Sequence, residues 1–259
     1  MISFIINAIK IIFLLGFLVL IHEGGHFLVA KLCKVKVNEF SIGFGKAIWQ
    51  KQGKETLYSL RIIPLGGFVQ MEGESEESKD ARSFSNVSIP KRIAIVAAGA
   101  IVNIVFGIIV YFLLVTTVGL QFADPAKDTI LNRIYYGGIN TGDFIVSIFD
   151  SVKMLFTNGV SAEQMTGPVG ISQIVVQATG FANYIYILAV ISVSLGVTNL
   201  LPIPALDGGK IVLLIVEAIR RKKITVETEA KITLIGFSIL IALSLYVTYY
   251  DITRIFQWI

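Results

Sequence analysis

Four stretches of this chain are apolar over the length that a membrane demands, and this limits what it can fold into more than any other feature. A helix needs about 20 mostly apolar residues to cross the hydrocarbon core. The stretches are about Ile5–Leu32, Ile93–Leu120, Tyr184–Pro202 and Ile232–Tyr250. In lipid each backbone N–H and C=O must be satisfied within the segment, so each stretch is read as a helix. Composition points the same way. Hydrophobic residues make up 54% of the chain and charged residues 15%, against about 25% charged in an ordinary soluble domain. Mean hydropathy is +0.76. The expected fold is an all-α polytopic membrane protein with four transmembrane helices, multi-pass in a cell membrane and in contact with its lipid. No small-residue cleavage site follows the first apolar run, so that run is read as a retained span and not as a signal peptide.

Lys and Arg fix the expected orientation, because they concentrate in cytoplasmic loops. Ten lie between Lys34 and Arg92, and Arg220, Arg221, Lys222 and Lys223 cluster before the fourth span. The middle loop, about 121–183, holds only Lys127, Arg133 and Lys153. The first and third loops are therefore expected in the cytoplasm, with the middle loop and both termini outside. The net charge of +4 belongs to this asymmetry and implies no nucleic-acid partner. The single cysteine, Cys33, excludes an intrachain disulfide and a Cys-rich zinc site.

The loops carry structure of their own. Residues Glu55–Gly73, "ETLYSLRIIPLGGFVQMEG", combine β-favouring residues with Pro64, Gly66 and Gly67, which predicts a small membrane-associated β-hairpin region on the cytoplasmic side. The acidic stretch Glu72–Asp80 reads as a solvated loop. Asp143–Phe156 has helical apolar spacing, which predicts an amphipathic helix on the membrane surface or against a span. No internal repeat is present, and residues 1–259 are read as one domain.

The chain has two histidines, and both lie in the second half of the first span: His22-Glu23-Gly24-Gly25-His26. Positions i and i+4 share a helix face, so the two rings can share one metal. Glu23 lies one step around the helix, able to reach a metal-bound water without ligating. A metal such as zinc lowers the pKa of that water to about 7, and a carboxylate then takes its proton. A charged group at the centre of a span costs roughly 2.5–3.5 kcal/mol on insertion scales, and metal binding offsets this. Two histidines leave such a site short of a ligand, and no third histidine exists. A carboxylate on another span is needed. Asn199–Gly209 reads "NLLPIPALDGG", where Pro202 and Pro204 must break the third helix. Asp207 lies just beyond the break, and the expected topology brings it to the depth of His22 and His26.

These residues resemble the site-2 protease family of zinc intramembrane metalloproteases, in its bacterial regulator-of-sigma-E protease type. The two motifs fall in the matching spans. "SIGFGK" (Ser41–Lys46), "IPLGGFVQMEGE" (Ile63–Glu74), "AAGAIVN" (Ala97–Asn103) and "GPVGI" (Gly167–Ile171) are similar to further signatures of that family, in the same order. The resemblance implies Zn2+ bound by His22, His26 and Asp207, with Glu23 as general base and then proton donor to the leaving amine. It implies that Asn199, Gly66 and Gly67 contact the substrate backbone, with the segment around Ile62–Met71 offering a strand edge. The substrates it implies are single-pass transmembrane proteins, of the anti-sigma-factor or remnant-signal-peptide class. Relatives of this type usually carry one or two PDZ domains between the second and third spans. Only about 60 residues lie there in this chain, and Ala123–Phe144 reads as a short replacement. Ala100 stands where relatives commonly have proline, and Lys210 where many have histidine.

Two other classes compete with the protease reading. A metal transporter needs ligands repeated along a path, and the spans hold one cluster. A scaffold that binds substrate without cutting has no use for Glu23.

Overall fold

The structure, a computed structural model, describes residues 2–76, 78–157 and 165–257. The elements are α1 (Ile2–Leu32), β1 (Val37–Gln52), β2 (Leu57–Met71), α2 (Ile89–Leu114), α3 (Ile130–Thr157), α4 (Pro168–Gln177), α5 (Gly180–Asn199), α6 (Asp207–Arg220) and α7 (Val226–Gln257). Among the described residues, four helical stretches are long and apolar enough to cross a membrane: Ile5–Leu32, Ile89–Gly119, Gly180–Asn199 and Val226–Arg254. The second comprises α2 and a π-helical turn, Val115–Gly119.

The helix ends follow from local chemistry. α2 starts earlier than the apolar run because Pro90 sits in its first turn, where a missing N–H costs nothing. α5 stops at Asn199, short of the expected Pro202, because Pro202 and Pro204 cannot continue a helix. Ala205 then takes a left-handed φ of 78°, and α6 starts at Asp207.

The chain divides into two compact units. One takes Met1–Asn103 and Leu195–Leu240, the other Ile104–Ser194 and Ile241–Ile259. The sequence marks no such division, because α2, α5 and α7 each run through it.

In the first unit β1 and β2 form one two-stranded sheet. Both strands bend, so the sheet is wider than a simple hairpin. Residues 39–42 of β1 are registered against 67–70 and also against 57–60 of β2, while 49–52 face 57–60. Residues 67–71 pair only with 37–42 among the described residues, which leaves their other side as an open edge. The tight turn lies at residues 53–56, where the Gly53 N–H donates to Thr56 O at 2.9 Å. Gly66 instead bends β2, with φ at +103°. The 55–73 stretch is thus only one arm of the hairpin. Its partner β1 is masked in the sequence by Gly43, Gly45 and its lysines. The buried core of this unit joins Ala30, Val35, Val37, Met71, Phe84, Ile95, Val96 and Leu214, which fastens the sheet to α1, α2 and α6. Fully burying a side chain such as Phe84 contributes about 1.5–3 kcal/mol.

In the second unit α3 begins at Ile130 and not near Asp143. The Thr129 hydroxyl accepts from the Asn132 N–H at 3.2 Å, an N-cap that starts the helix early. Gly137 and Gly138 hide this in the sequence. Tyr111 stacks on Phe144 with centroids 4.1 Å apart. The "GPVG" stretch opens α4, and the buried Asp251 carboxylate accepts from the Gly170 N–H at 2.8 Å.

Candidate metal centre

One turn of α1 carries His22 and His26, both buried. Their Nε2 atoms lie 3.2 Å apart. Asp207 Oδ2 lies 3.2 Å from His22 Nε2 and 3.5 Å from His26 Nε2. That oxygen is buried and makes no hydrogen bond to the described residues. A tetrahedral zinc site, with bonds of 2.0–2.2 Å, sets neighbouring donor atoms roughly 3.3–3.5 Å apart. The three atoms already stand at that spacing, and an unsatisfied buried carboxylate oxygen is costly unless a cation or donor meets it. The residues present fit a metal of zinc's size and preferences. Among the described residues they are the one group of three His, Cys, Asp or Glu side chains arranged to hold an ion.

Asp207 reaches this point because α6 folds back tightly on the segment before it. An added Cβ at Gly208 would run into the Leu200 and Leu201 carbonyls, and one at Gly209 would meet the backbone of Ile203 and Pro204. The Gly-Gly pair after Asp207 is therefore a packing requirement. On the other side α2 presses against the motif. His26 Nδ1 lies 2.8 Å from the Ile95 carbonyl, and the His26 ring fills the space where a Gly99 side chain would stand. An added Cβ at Gly25 would come within 2.6 Å of the Ala98 carbonyl.

A cavity of about 220 Å³ opens on this group, lined by His22, Glu23, His26, Gly67, Phe68, Val69, Met71, Glu74, Val96, Asp207 and Lys210. Glu23 thus faces the cavity from outside the donor triad. Gly67 brings the open edge of β2 against it: a Cβ added there would lie 3.2 Å from Glu23 Cγ and 2.7 Å from the Ser41 carbonyl. Gly66 does not line the cavity; it sits against the Phe44 ring. Nor does Asn199, whose amide Nδ2 donates to Leu195 O at 3.0 Å within its own helix. The sequence reading missed Glu74 and Lys210 at the rim. Lys210 Nζ lies 2.6 Å from Glu74 Oε1 and 3.5 Å from Glu229 Oε1, tying the loop after β2 to α6 and to the start of α7.

The model for "Peptidase family M50" matches residues 10–243. The chain belongs to peptidase family M50. A Clostridium acetobutylicum protein, named as a candidate zinc metalloprotease, is 31% identical, with 95% of this chain and 97% of the relative covered. A similarly named protein of Clostridium perfringens is 30% identical over 91% of this chain and 95% of its own length. The regulator of sigma-W protease RasP of Bacillus subtilis is 24% identical over 98% and 100%. These alignments run to 329, 318 and 420 positions, more than the 259 residues present. The relatives therefore contain stretches that this M50 peptidase lacks. With four membrane-length apolar helices, it is a multi-pass membrane metallopeptidase.

Proposed function

We propose that this M50 peptidase is a zinc-dependent intramembrane endopeptidase that cuts transmembrane segments of single-pass proteins. The observation that carries the proposal is the conjunction in one cavity of the donor triad, Glu23 and the open edge of β2. His22, His26 and Asp207 would hold the zinc. Zinc, when bound, supplies Lewis acidity toward the scissile carbonyl and the attacking water. The residues of the chain do the rest. A membrane helix must unwind before its amide can be attacked, and residues 67–71 offer a strand edge that stabilises the unwound form through main-chain hydrogen bonds. Gly67, with no side chain, lets that strand lie against Glu23. The Glu23 carboxylate takes the proton of the water and passes it to the leaving amine. Gly66 acts by setting the bend in β2, and Asn199, with one amide N–H held by the Leu195 carbonyl, keeps Oδ1 and its second N–H for a substrate backbone.

The name of the Bacillus subtilis relative supports anti-sigma factors as a substrate class, with remnant signal peptides as the second. The Lys and Arg distribution supports a cytoplasmic position for the β1–β2 sheet and the metal end of α1, with both termini outside. The decisive assay uses purified protein and a fluorescent transmembrane peptide. Glu23→Gln abolishes cleavage while one zinc per chain stays bound, and Asp207→Ala lowers the zinc content. Cleavage that survives Glu23→Gln ends the proposal.

A further inference from the structure

The stretch "AAGAIVN" lies on α2, and its last residue has no role in the mechanism above. Asn103 is fully buried, and its side-chain Nδ2 lies 3.3 Å from His22 Nδ1. Ile95, Gly99 and Asn103 are spaced i, i+4 and i+8, so they share one face of the helix. Along that face the Ile95 carbonyl meets His26 Nδ1, Gly99 makes room for the His26 ring, and Asn103 meets His22 Nδ1. Both imidazoles are therefore held at Nδ1 by α2 while both Nε2 atoms turn to Asp207.

Resting on the zinc reading above, we propose that Asn103 is a positioning residue which sets the tautomer of His22 through its amide oxygen. A neutral imidazole has one N–H and one lone pair. A ring that ligates through Nε2 must carry its proton on Nδ1, so the group opposite Nδ1 must accept. At His26 the Ile95 carbonyl is such an acceptor. At His22 the only acceptor an asparagine amide can offer is Oδ1. The two ends of an amide are nearly the same in shape, and a half-turn about the last side-chain bond brings Oδ1 to Nδ1. With zinc bound, the His22 Nδ1–H donates to Asn103 Oδ1. Without zinc, the amide nitrogen can donate to Nδ1 and leave the proton on Nε2, toward Asp207. The amide serves both forms, whereas the Ile95 carbonyl serves only one.

Two measurements test this. The chain has only two histidines, so 15N-histidine labelling gives four ring nitrogens. In the zinc-loaded protein both Nδ1 atoms are expected to carry protons, and a protonated Nε2 on His22 would overturn the proposal. The second measurement is zinc affinity by competition with a chelator. Asn103→Leu keeps the approximate shape, removes the acceptor, and weakens zinc binding roughly 10–100-fold, the usual loss for such an orienting partner. Asn103→Asp restores an acceptor and stays within a few-fold of the native protein. Equal loss in both variants would mean that a donor is needed, and no loss in either would mean that Asn103 only packs; both outcomes sink the proposal. If Asn103→Leu does not fold, the Asp variant and the labelling decide the matter. Native protein that binds no zinc would overturn the underlying reading instead.

Discussion

At His26 the ring turns Nε2 toward Asp207 and is held by the Ile95 carbonyl at Nδ1 and by the bare backbone of Gly99. The last contact gives a sharp prediction. Gly99→Ala places a methyl group in the space of the ring, and overpacking of this kind costs about 1–3 kcal/mol. Zinc per chain after dialysis against buffered zinc should fall, while the far-ultraviolet signal of the helices persists. Unchanged zinc would show that the ring has room to yield. The ligand candidates were legible in the sequence, because His22, Glu23, His26 and Asp207 carry chemistry in their side chains. The residues that hold them were not. Ile95 acts through a carbonyl that every residue has, and Gly99 acts by lacking a side chain, so neither leaves a compositional mark. Asn103 sat in a recognised stretch, but its partner is fixed only by the crossing of α1 and α2.

Between elements, charged pairs within the first unit set the geometry. Arg92 on α2 and Glu217 on α6 are both buried, with Nη1 2.6 Å from Oε1. Breaking a buried pair strands the other charge, which typically costs about 3–5 kcal/mol. Glu217→Ala should lose stability on that scale in denaturant unfolding, and the double change Arg92→Met with Glu217→Leu should recover most of it. A double variant as unstable as the single would refute this account. Glu72 shows the opposite regime at the end of β2. Its carboxylate accepts from the Ser78 hydroxyl at 2.6 Å and from the Asn38 amide at 2.9 Å, with Lys36 Nζ at 3.4 Å. These partners hold its pKa down at about 2, from an ordinary 4.5. The folded state thus binds the proton less tightly than the unfolded chain. The stabilisation is complete above about pH 4.5 and is lost as the pH falls toward 2. The melting-temperature gap between native protein and Glu72→Gln should accordingly shrink from about pH 6 to about pH 3. A gap that is constant with pH would mean that the carboxylate contributes by shape alone. The sequence showed the four spans because apolar runs are a cumulative signal. It missed β1 and the first half of α3 because glycines interrupt both patterns, and only tertiary pairing or a cap outweighs them.

For the whole molecule, the membrane class was legible from composition, and the alignments with the matched relatives run longer than this chain. Orientation is a global property that cysteine labelling reads directly. In a Cys33→Ser background, an impermeant maleimide applied to intact cells should label Ala123→Cys in the middle loop. Arg221→Cys should be labelled only after permeabilisation. The reverse pattern would invert the proposed topology.

The donor triad also has an order in time. His22 and His26 leave the ribosome with the first span, and Asp207 follows some 180 residues later. On the proposed assignment, a partly synthesised chain in the membrane holds the base and two ligands without the third. Hydrolytic competence would then arrive only after the α5–α6 segment has been inserted and has folded back, so a nascent chain poses no hazard to its neighbours.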